Sequence, residues 1–464
     1  MHKQEHVHFV GIGGYGMSAI ACVILEMGLR VTGSDVAANK LTESLAARGA
    51  EIYLGHEASL VSGADRVVYS SSIHQGNVEL VAAREAGIPV LHRSEMLATL
   101  LNDKKGIAVA GAHGKTTTSS MIAQTMEENN VDPTYVIGGE VVGLGRNAKA
   151  GQSDFVVAEA DESDGTFLEY YPQVAVVTNI EPDHLENYDG DFENLKKAYR
   201  QFLRQVKEDG AVVLGWDDAY LREIAGESKA KVITYALDRE ADYRAVDIRT
   251  QLNQTRFSVM KGQESLGEVL IQVPGRHNVA NALATLIVCL EAGLTFKEAA
   301  YGLSRFQGAK RRFQIIGEVN DILVVDDYAH HPTEIRTTID GLKAMERRIV
   351  AVFQPQRYSR TYHLMEEFSR AFGEVDHLII TSIYSPPGEA PIEGVTSERL
   401  VEMVKENSNP STLFLSTKEE AEEYLLQNAE PGDLVITMGA GDIWRLSHNL
   451  VPALEKKVQG QANY

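Results

Sequence analysis

The stretch Gly111-Ala-His-Gly-Lys-Thr-Thr-Thr118 places two glycines, a lysine and three hydroxyls within one short turn. Residue types in that order handle phosphates. The backbone N–H groups of Gly111, Ala112, His113 and Gly114 can face an anion, and the helix that opens at Thr116 or Thr117 adds the positive end of its dipole. Lys115 supplies a full charge, and the Thr116 hydroxyl is a ligand for Mg²⁺. Only Ala112 and His113 separate the glycines, where the usual phosphate loop has four residues, so the spacing departs from the generic ATPase pattern. The apolar run Gly106-Ile-Ala-Val-Ala110 before the turn reads as a buried parallel strand, and Met121, Ile122 and Met126 recur at helical spacing after it. This is a nucleoside-triphosphate site.

Two further apolar runs deliver polar residues at their ends. Phe155-Val-Val-Ala158 leads into Glu159-Ala-Asp161-Glu162-Ser-Asp164, and Val174-Ala-Val-Val-Thr-Asn179-Ile180 leads into Glu181-Pro-Asp183-His184. A carboxylate at a strand end beside a phosphate loop is how a nucleotide enzyme positions Mg²⁺, and His184 can add a nitrogen. Further along, His277 and Asn281 lie one helical turn apart at the head of an apolar helix, with Asn278 either capping that helix or reading adenine beside Asn281. Lys310-Arg311-Arg312 form a basic junction from which an arginine can reach a transferring phosphate. Asp326-Asp327-Tyr328-Ala-His330-His331 ends another strand; adjacent histidines without cysteines make a poor zinc site. Arg357 and Arg360 form a fork suited to a carboxylate.

Near the N-terminus, Gly11-Ile-Gly13-Gly14-Tyr-Gly16 matches the dinucleotide fingerprint. The strand Val7 to Val10 precedes it, a helix from Met17 to Met27 follows, and a second strand, Arg30 to Gly33, ends at Ser34-Asp35. An acid at that distance holds a ribose 2′-OH in dinucleotide sites. The turn recognises a pyrophosphate rather than a nicotinamide, so an NAD site and a nucleotide-sugar site both fit.

These residues need a scaffold of repeated strand–helix units, and the chain is long enough for roughly three domains. The expected fold class is α/β. Residues 1–101 form a Rossmann-like domain, with strands at Arg66-Val-Val-Tyr69, ending at Ser70-Ser71-Ser72, and at Ile88 to Met96. Leu100 to Lys105 reads as a linker. Residues 102–310 form the central phosphate-loop domain, with an accessory antiparallel sheet from Lys231 to Val273 broken by Pro274-Gly275. Residues 311–464 form a second Rossmann-like domain built on Ile322 to Val325, Ile349 to Phe353 and Leu434 to Thr437. The formal net charge of −21 argues against a nucleic-acid partner or an anionic membrane surface. With Cys22 and Cys289 alone there is no disulfide framework, no signal-peptide core precedes the first strand, and the apolar runs are shorter than a membrane span. The expectation is a soluble cytoplasmic protein.

Taken together, the motifs at Gly11–Ser18, Gly111–Thr118, Glu159–Asp164, Asn179–His184, His277–Asn281, Asp326–Glu334 and Arg357–Arg360 resemble those of the Mur ligase family, in family order and over essentially the whole chain. The resemblance implies an ATP-dependent ligase of peptidoglycan synthesis that joins L-alanine to the carboxylate of UDP-N-acetylmuramate. The N-terminal turn would then hold the UDP-sugar through Gly13, Gly14, Tyr15, Gly16, Met17 and Ser18, with Asp35, Ser70 and Ser71 in the same pocket. Lys115 would bind the β,γ-phosphates, Thr116 and Glu159 one Mg²⁺, and His184 a second. Asn278 and Asn281 would meet adenine, with Arg312 and Asp327 completing the ATP site. Tyr328, His330, Arg357 and Arg360 would receive L-alanine, with His330 as the base for its amine and domain closure shielding the intermediate. The family often carries His where this chain has Gln356, and related ligases use a modified lysine that neither Lys196 nor Lys197 can be matched to. The partners implied are small molecules, with the protein a monomer or weak homo-oligomer. A ligase that recycles a murein tripeptide onto the same UDP-sugar is the nearest alternative. An NAD-dependent oxidoreductase leaves Lys115, Glu159 and His184 unused, and a non-catalytic nucleotide sensor would not need Glu159 and His184.

Overall fold

A computed structural model describes residues 5–163, 165–251, 254–343, 345–385 and 389–462. Asp164, the last residue of the acid run, lies outside the described residues, as does the start of the N-terminal segment, residues 1–4. The chain carries three α/β sheets. They fall into two compact units, one running to Ile248 with Phe257–Ile271 and Val279–Gln307, the other comprising Arg249–Arg256, Gln272–Asn278 and the chain from Gly308 onward.

The N-terminal sheet has five parallel strands, in the order Glu51–Leu54, Arg30–Asp35, His6–Val10, Arg66–Tyr69 and Val90–His92. Alternation along the first strand sends Val7 and Phe9 to one face, where they join Ile20, Val23 and Ile24 of the helix Tyr15–Glu26. Burying one Phe of this kind contributes roughly 2–3 kcal/mol. Val10 turns to the other face and meets Leu80 and Ala83 of the helix Val78–Glu85. The expected strand to Met96 stops at His92. The His92 ring accepts from Ser94 N–H, and Glu95 returns a carboxylate to His92 N–H (2.5 Å), so a capping box starts the helix Arg93–Asn102. That helix and the strand Lys105–Ala110 occupy the segment expected as a linker.

The central sheet has ten strands. Its middle is parallel, in the order Lys231–Ala236, Ala211–Gly215, Val174–Val177, Lys105–Ala110, Phe155–Glu159 and Thr134–Val141. Lys231–Ala236 therefore belongs to the parallel layer rather than to the accessory sheet, and even Tyr243–Gln251 pairs parallel to it where Tyr235 meets Tyr243. The accessory character begins beyond that point. Gln254–Lys261 and Glu264–Ile271 are neighbours joined by Gly262-Gln263, and a two-residue connection closes only an antiparallel pair. At the opposite edge Thr134–Val141 and Arg146–Lys149 form an antiparallel pair that the sequence did not suggest.

The last sheet has six strands: Gln314–Val319, Ile322–Asp327, Asp433–Met438, Arg348–Phe353, His377–Ile380 and Thr412–Phe414. All pairs are parallel except the first, an antiparallel edge strand formed from residues just after the basic junction. Among the described residues no helix is long and apolar enough to cross a membrane.

Candidate active site

The phosphate turn follows the strand Lys105–Ala110, whose two parallel neighbours are Phe155–Glu159 and Val174–Val177. Gly111 sits at φ +133° and Gly114 at φ +86°, both in the region that glycine reaches without strain. Neither position has room for a side chain. A Cβ on Gly111 would stand 2.0 Å from Thr178 Oγ1, and one on Gly114 would stand 2.7 Å from Asn281 Oδ1. The turn is held from the next strand end: Asn179 Oδ1 accepts the His113 N–H (2.9 Å), and Thr178 Oγ1 donates to the His113 carbonyl (2.5 Å). The helix Lys115–Glu128 then begins with no side chain capping its first turn, which leaves donors for an anion.

Lys115 Nζ donates to the Gly111 and Ala112 carbonyls (2.6 and 3.3 Å) and to both oxygens of Glu162 (2.7 and 2.9 Å). Glu162 is 2% exposed, while the Lys115 side chain is only partly buried, so the carboxylate end of the pair is the shielded one. Burial works against the lysine charge, but Glu162, Asp161 and Glu159 outweigh it and hold its pKa above the ordinary value. The ammonium is thus kept charged and aimed across the turn before any nucleotide arrives.

Beside it, Thr116 Oγ1 donates to Glu159 Oε2 (3.1 Å). The other oxygen of Glu159 accepts from Gly138 N–H (2.6 Å) and Ser119 Oγ (3.3 Å), which fixes the carboxylate and leaves Oε2 with the threonine. A hydroxyl and a carboxylate oxygen side by side are a hard donor set that fits Mg²⁺. His184 stands on the loop after the neighbouring strand at φ +56°, with Nε2 3.6 Å from Asp183 Oδ2. Lys196 pairs with Glu193 (2.5 Å) and lies over the Tyr220 ring.

The N-terminal turn is built differently. Gly11 and Ile12 N–H both bond the Ser34 carbonyl (2.8 and 3.0 Å), and Gly13 N–H bonds Asp35 Oδ2 (2.8 Å). Asp35, expected to face a ribose, gives one carboxylate oxygen to shaping the turn. Met17 is buried in the core, and Ser18 Oγ bonds the Tyr15 carbonyl (3.0 Å), so both side chains serve the helix. Ser70 Oγ pairs with Ser72 (2.7 Å), and Ser71 Oγ with His92 (2.9 Å), at the end of a neighbouring strand. Burial, then the carboxylates of Glu140 and Glu159, push the Tyr15 phenol up to about 12. A Cβ on Gly16 would lie 3.2 Å from Arg93 Nη1, and Arg93 lies 3.6 Å from Asp161. Arg93 stands directly after the strand Val90–His92, the end of an open parallel sheet at which ligands are placed, and nothing else in the local sequence marks it.

In the second unit, Arg311 spans Asp326 Oδ2 (3.1 Å) and the carbonyls of Gly439 (2.5 Å) and Gly441 (3.3 Å). Arg312 reaches Glu334 (3.4 Å), and both guanidinium groups pack on the Tyr328 ring. Asp327 accepts Phe313 N–H (2.8 Å) and Ala329 N–H (2.7 Å); burial raises its pKa to about 6 against the pull of Arg312. His330 Nδ1 donates to the Tyr328 carbonyl (2.9 Å), which leaves Nε2 carrying the lone pair. Burial pushes this ring's pKa well below the usual histidine range, with Glu334 opposing and Arg360 reinforcing the shift. The expected titration near neutrality does not hold: the ring is neutral and a weak base. Arg357, at φ +70°, heads the short helix Tyr358–His363, and Arg360 Nη1 donates to Gln356 Oε1 (2.7 Å). Gln356 therefore steadies the arginine. Asn278 falls inside the first turn of the helix Arg276–Glu291, not at its cap, and its amide donates to the Pro274 carbonyl (2.7 Å).

A glycine turn with a lysine aimed across it and a strand-end carboxylate beside it marks a nucleoside-triphosphate enzyme rather than a dehydrogenase. Three family models match in series: Mur ligase family, catalytic domain, over residues 6–105; Mur ligase middle domain over 109–289; and Mur ligase, glutamate ligase domain, over 311–441. The UDP-N-acetylmuramate–L-alanine ligase of Symbiobacterium thermophilum is 49% identical, covering 98% of this chain and 96% of its own. That of Pelotomaculum thermopropionicum is 48% identical, covering 98% and 99%. Among solved structures, UDP-N-acetylmuramate-alanine ligase from Thermotoga maritima matches with a TM-score of 0.80 at 27% identity, over 97% of this chain and 99% of its own. A murein peptide ligase from Psychrobacter arcticus matches with a TM-score of 0.69 at 26% identity, over 97% and 98%. The chain belongs to the Mur ligase family.

Proposed function

We infer that this protein joins L-alanine to the carboxylate of UDP-N-acetylmuramate at the expense of ATP, releasing ADP and phosphate in the cytoplasmic stage of peptidoglycan synthesis. The relatives named for that reaction span nearly the whole chain at 48–49% identity. The observation in the structure that carries the chemistry is Lys115, Thr116 and Glu159 gathered around one glycine turn.

In this reading residues 1–101 hold the UDP-sugar, 102–310 ATP, and 311–464 the amino acid. The muramate carboxylate oxygen attacks the γ-phosphorus, the bond to the β,γ-bridging oxygen breaks, and ADP leaves an acyl phosphate behind. The alanine nitrogen then attacks the acyl carbon, phosphate departs with the C–O bonding pair, and the nitrogen gives up a proton. Two anions meet in the first step, so Lys115 and Arg312 act by offsetting the charge that gathers on the transferring phosphoryl group. Thr116 and Glu159 would hold Mg²⁺, with His184 the candidate for a second ion; bound metal would lend Lewis acidity to the phosphoryl oxygens. Asn278 and Asn281 would meet adenine, and Asp327 would complete the nucleotide site. Arg357 and Arg360 suit the alanine carboxylate, beside Tyr328, and His330 Nε2, neutral in its buried setting, can accept a hydrogen bond from the alanine amine and orient it without carrying its proton away.

The test is phosphate release from ATP and Mg²⁺ with UDP-N-acetylmuramate, with and without L-alanine. Release that needs both substrates supports the reading. Release with a murein tripeptide but not with alanine moves the protein to the recycling ligase, which the lower TM-score of the murein peptide ligase disfavours.

A further inference from the structure

A file of buried polar side chains lies beneath the N-terminal turn and takes no part in the reaction described above. His6 and His8 of the first strand, Thr32 and Ser34 of the second, and Glu79 of the helix Val78–Glu85 are all under 9% exposed. Alternate residues of a strand share a face, so the strand pattern itself lines them up. His6 Nδ1 lies 2.9 Å from the Gly63 carbonyl, and His6 Nε2 lies 2.8 Å from Thr32 Oγ1. Thr32 Oγ1 lies 2.7 Å from His8 Nδ1, and His8 Nε2 lies 2.7 Å from Glu79 Oε2. Glu79 also accepts from Ser34 Oγ (2.8 Å) and His56 Nδ1 (2.8 Å).

Counting hydrogens along this file leaves two arrangements. The Gly63 carbonyl only accepts, so His6 Nδ1 carries a hydrogen. An ionised Glu79 only accepts, so His8 Nε2 carries one too. His6 Nε2 and His8 Nδ1 then both face the single Thr32 hydroxyl, which owns one hydrogen and can serve one ring. The other ring must bring its own and is an imidazolium. Neutral rings are possible only if the hydrogen sits on Glu79 instead. Burial works against the Glu79 charge, but the bonds from His8, Ser34 and His56 outweigh it and hold its pKa below the ordinary value, which favours the imidazolium.

We propose that this file stores one proton, and that the stored proton positions the pyrophosphate turn. Glu79 is held by His8 and in turn fixes Ser34, whose carbonyl receives both Gly11 and Ile12 N–H. The proposal rests on that turn holding the UDP-sugar. Around the file, Asp65 accepts His6 N–H (2.7 Å), Glu5 pairs with Arg66, and Glu51 pairs with Arg30 (2.9 Å) and touches Tyr53 (3.1 Å). Glu79, His6, His8 and His56 are then the groups whose protonation the turn can feel.

Histidine ¹⁵N spectra of the full chain at about pH 8, where free imidazole is neutral, read the proton directly. The expected result is one ring of the His6–His8 pair protonated at both nitrogens. In Glu79→Gln the amide donates to His8 Nε2, so both rings become neutral while the shape is kept. As pH rises and the wild-type imidazolium signal disappears, KM for UDP-N-acetylmuramate should rise about threefold to tenfold, the worth of one hydrogen bond, with kcat unchanged; in Glu79→Gln it should stay flat. Two neutral rings in the wild type beside an ionised Glu79, read from the ¹³C shift of its carboxylate, overturn the stored proton; a neutral Glu79 only moves that proton to the carboxyl end of the file. A proton lost without a change in KM overturns its positioning role. If UDP-sugar does not bind at all, the ring count still stands and the fault lies with the reading of the turn. Should Glu79→Gln not fold, Thr32→Val removes the shared hydroxyl and must also give two neutral rings.

Discussion

The two glycine turns of the first unit follow the same plan, strand to turn to helix, yet they are held by opposite means. The N-terminal turn has no cation of its own and is braced by an anion, Asp35, through Gly13 N–H. The central turn carries Lys115 and is braced by neutral groups, Thr178 and Asn179. An anionic brace suits a turn that only has to hold a pyrophosphate still, since the turn's N–H groups are shaped without adding charge. A turn that must stabilise charge as a phosphoryl group moves needs a cation already aimed across it. The anions at this turn meet side chains rather than its N–H groups: Glu162 holds the lysine, and Glu181 lies 3.2 Å from His113 Nε2.

Replacing Lys115 by Ala breaks the comparison most severely. ADP formation should fall by at least about 10³-fold, while calorimetry still detects UDP-sugar binding; retained turnover would remove the distinction between the turns. Asp327 comes next, because like Asp35 it braces backbone N–H groups, but in a buried setting. Its pKa is raised from 3.8 to about 6, so its contribution to stability is complete below about pH 4 and lost as pH climbs through 6. That amounts to about 2–3 kcal/mol, and chemical denaturation of Asp327→Asn should show the slope between pH 4 and 6 removed. Gly114→Ala sharpens the geometric half of the argument: a side chain at φ +86° facing Asn281 Oδ1 should weaken ATP binding about tenfold or more, through roughly 1–2 kcal/mol of backbone strain. Asp35→Ala should have the smallest effect, raising KM for UDP-N-acetylmuramate about threefold to tenfold with kcat nearly unchanged.

The sequence made both turns legible because glycine spacing and flanking apolar runs are local signals. The strand-end position of Glu159 was legible in the same way, and in the structure its carboxylate accepts from Thr116 Oγ1. What stayed hidden was set by distant neighbours. Nothing local marks Gly138 as the donor to Glu159 or Thr178 as a brace for His113. His330 was misjudged for the same reason: its residue type suggests titration near neutrality, and its burial removes it. The strand expected through Met96 failed at a capping box, where a three-residue pattern overrode an apolar run.

Gly114 and Asn281 have a consequence for how this site can change. With 2.7 Å between the Asn281 amide oxygen and the space a Cβ would fill, and a backbone at φ +86°, residue 114 is closed to side chains on two separate counts. A lineage that enlarges residue 114 must turn or shrink residue 281 and also absorb the backbone strain, so the constraint runs from 281 to 114 and not back.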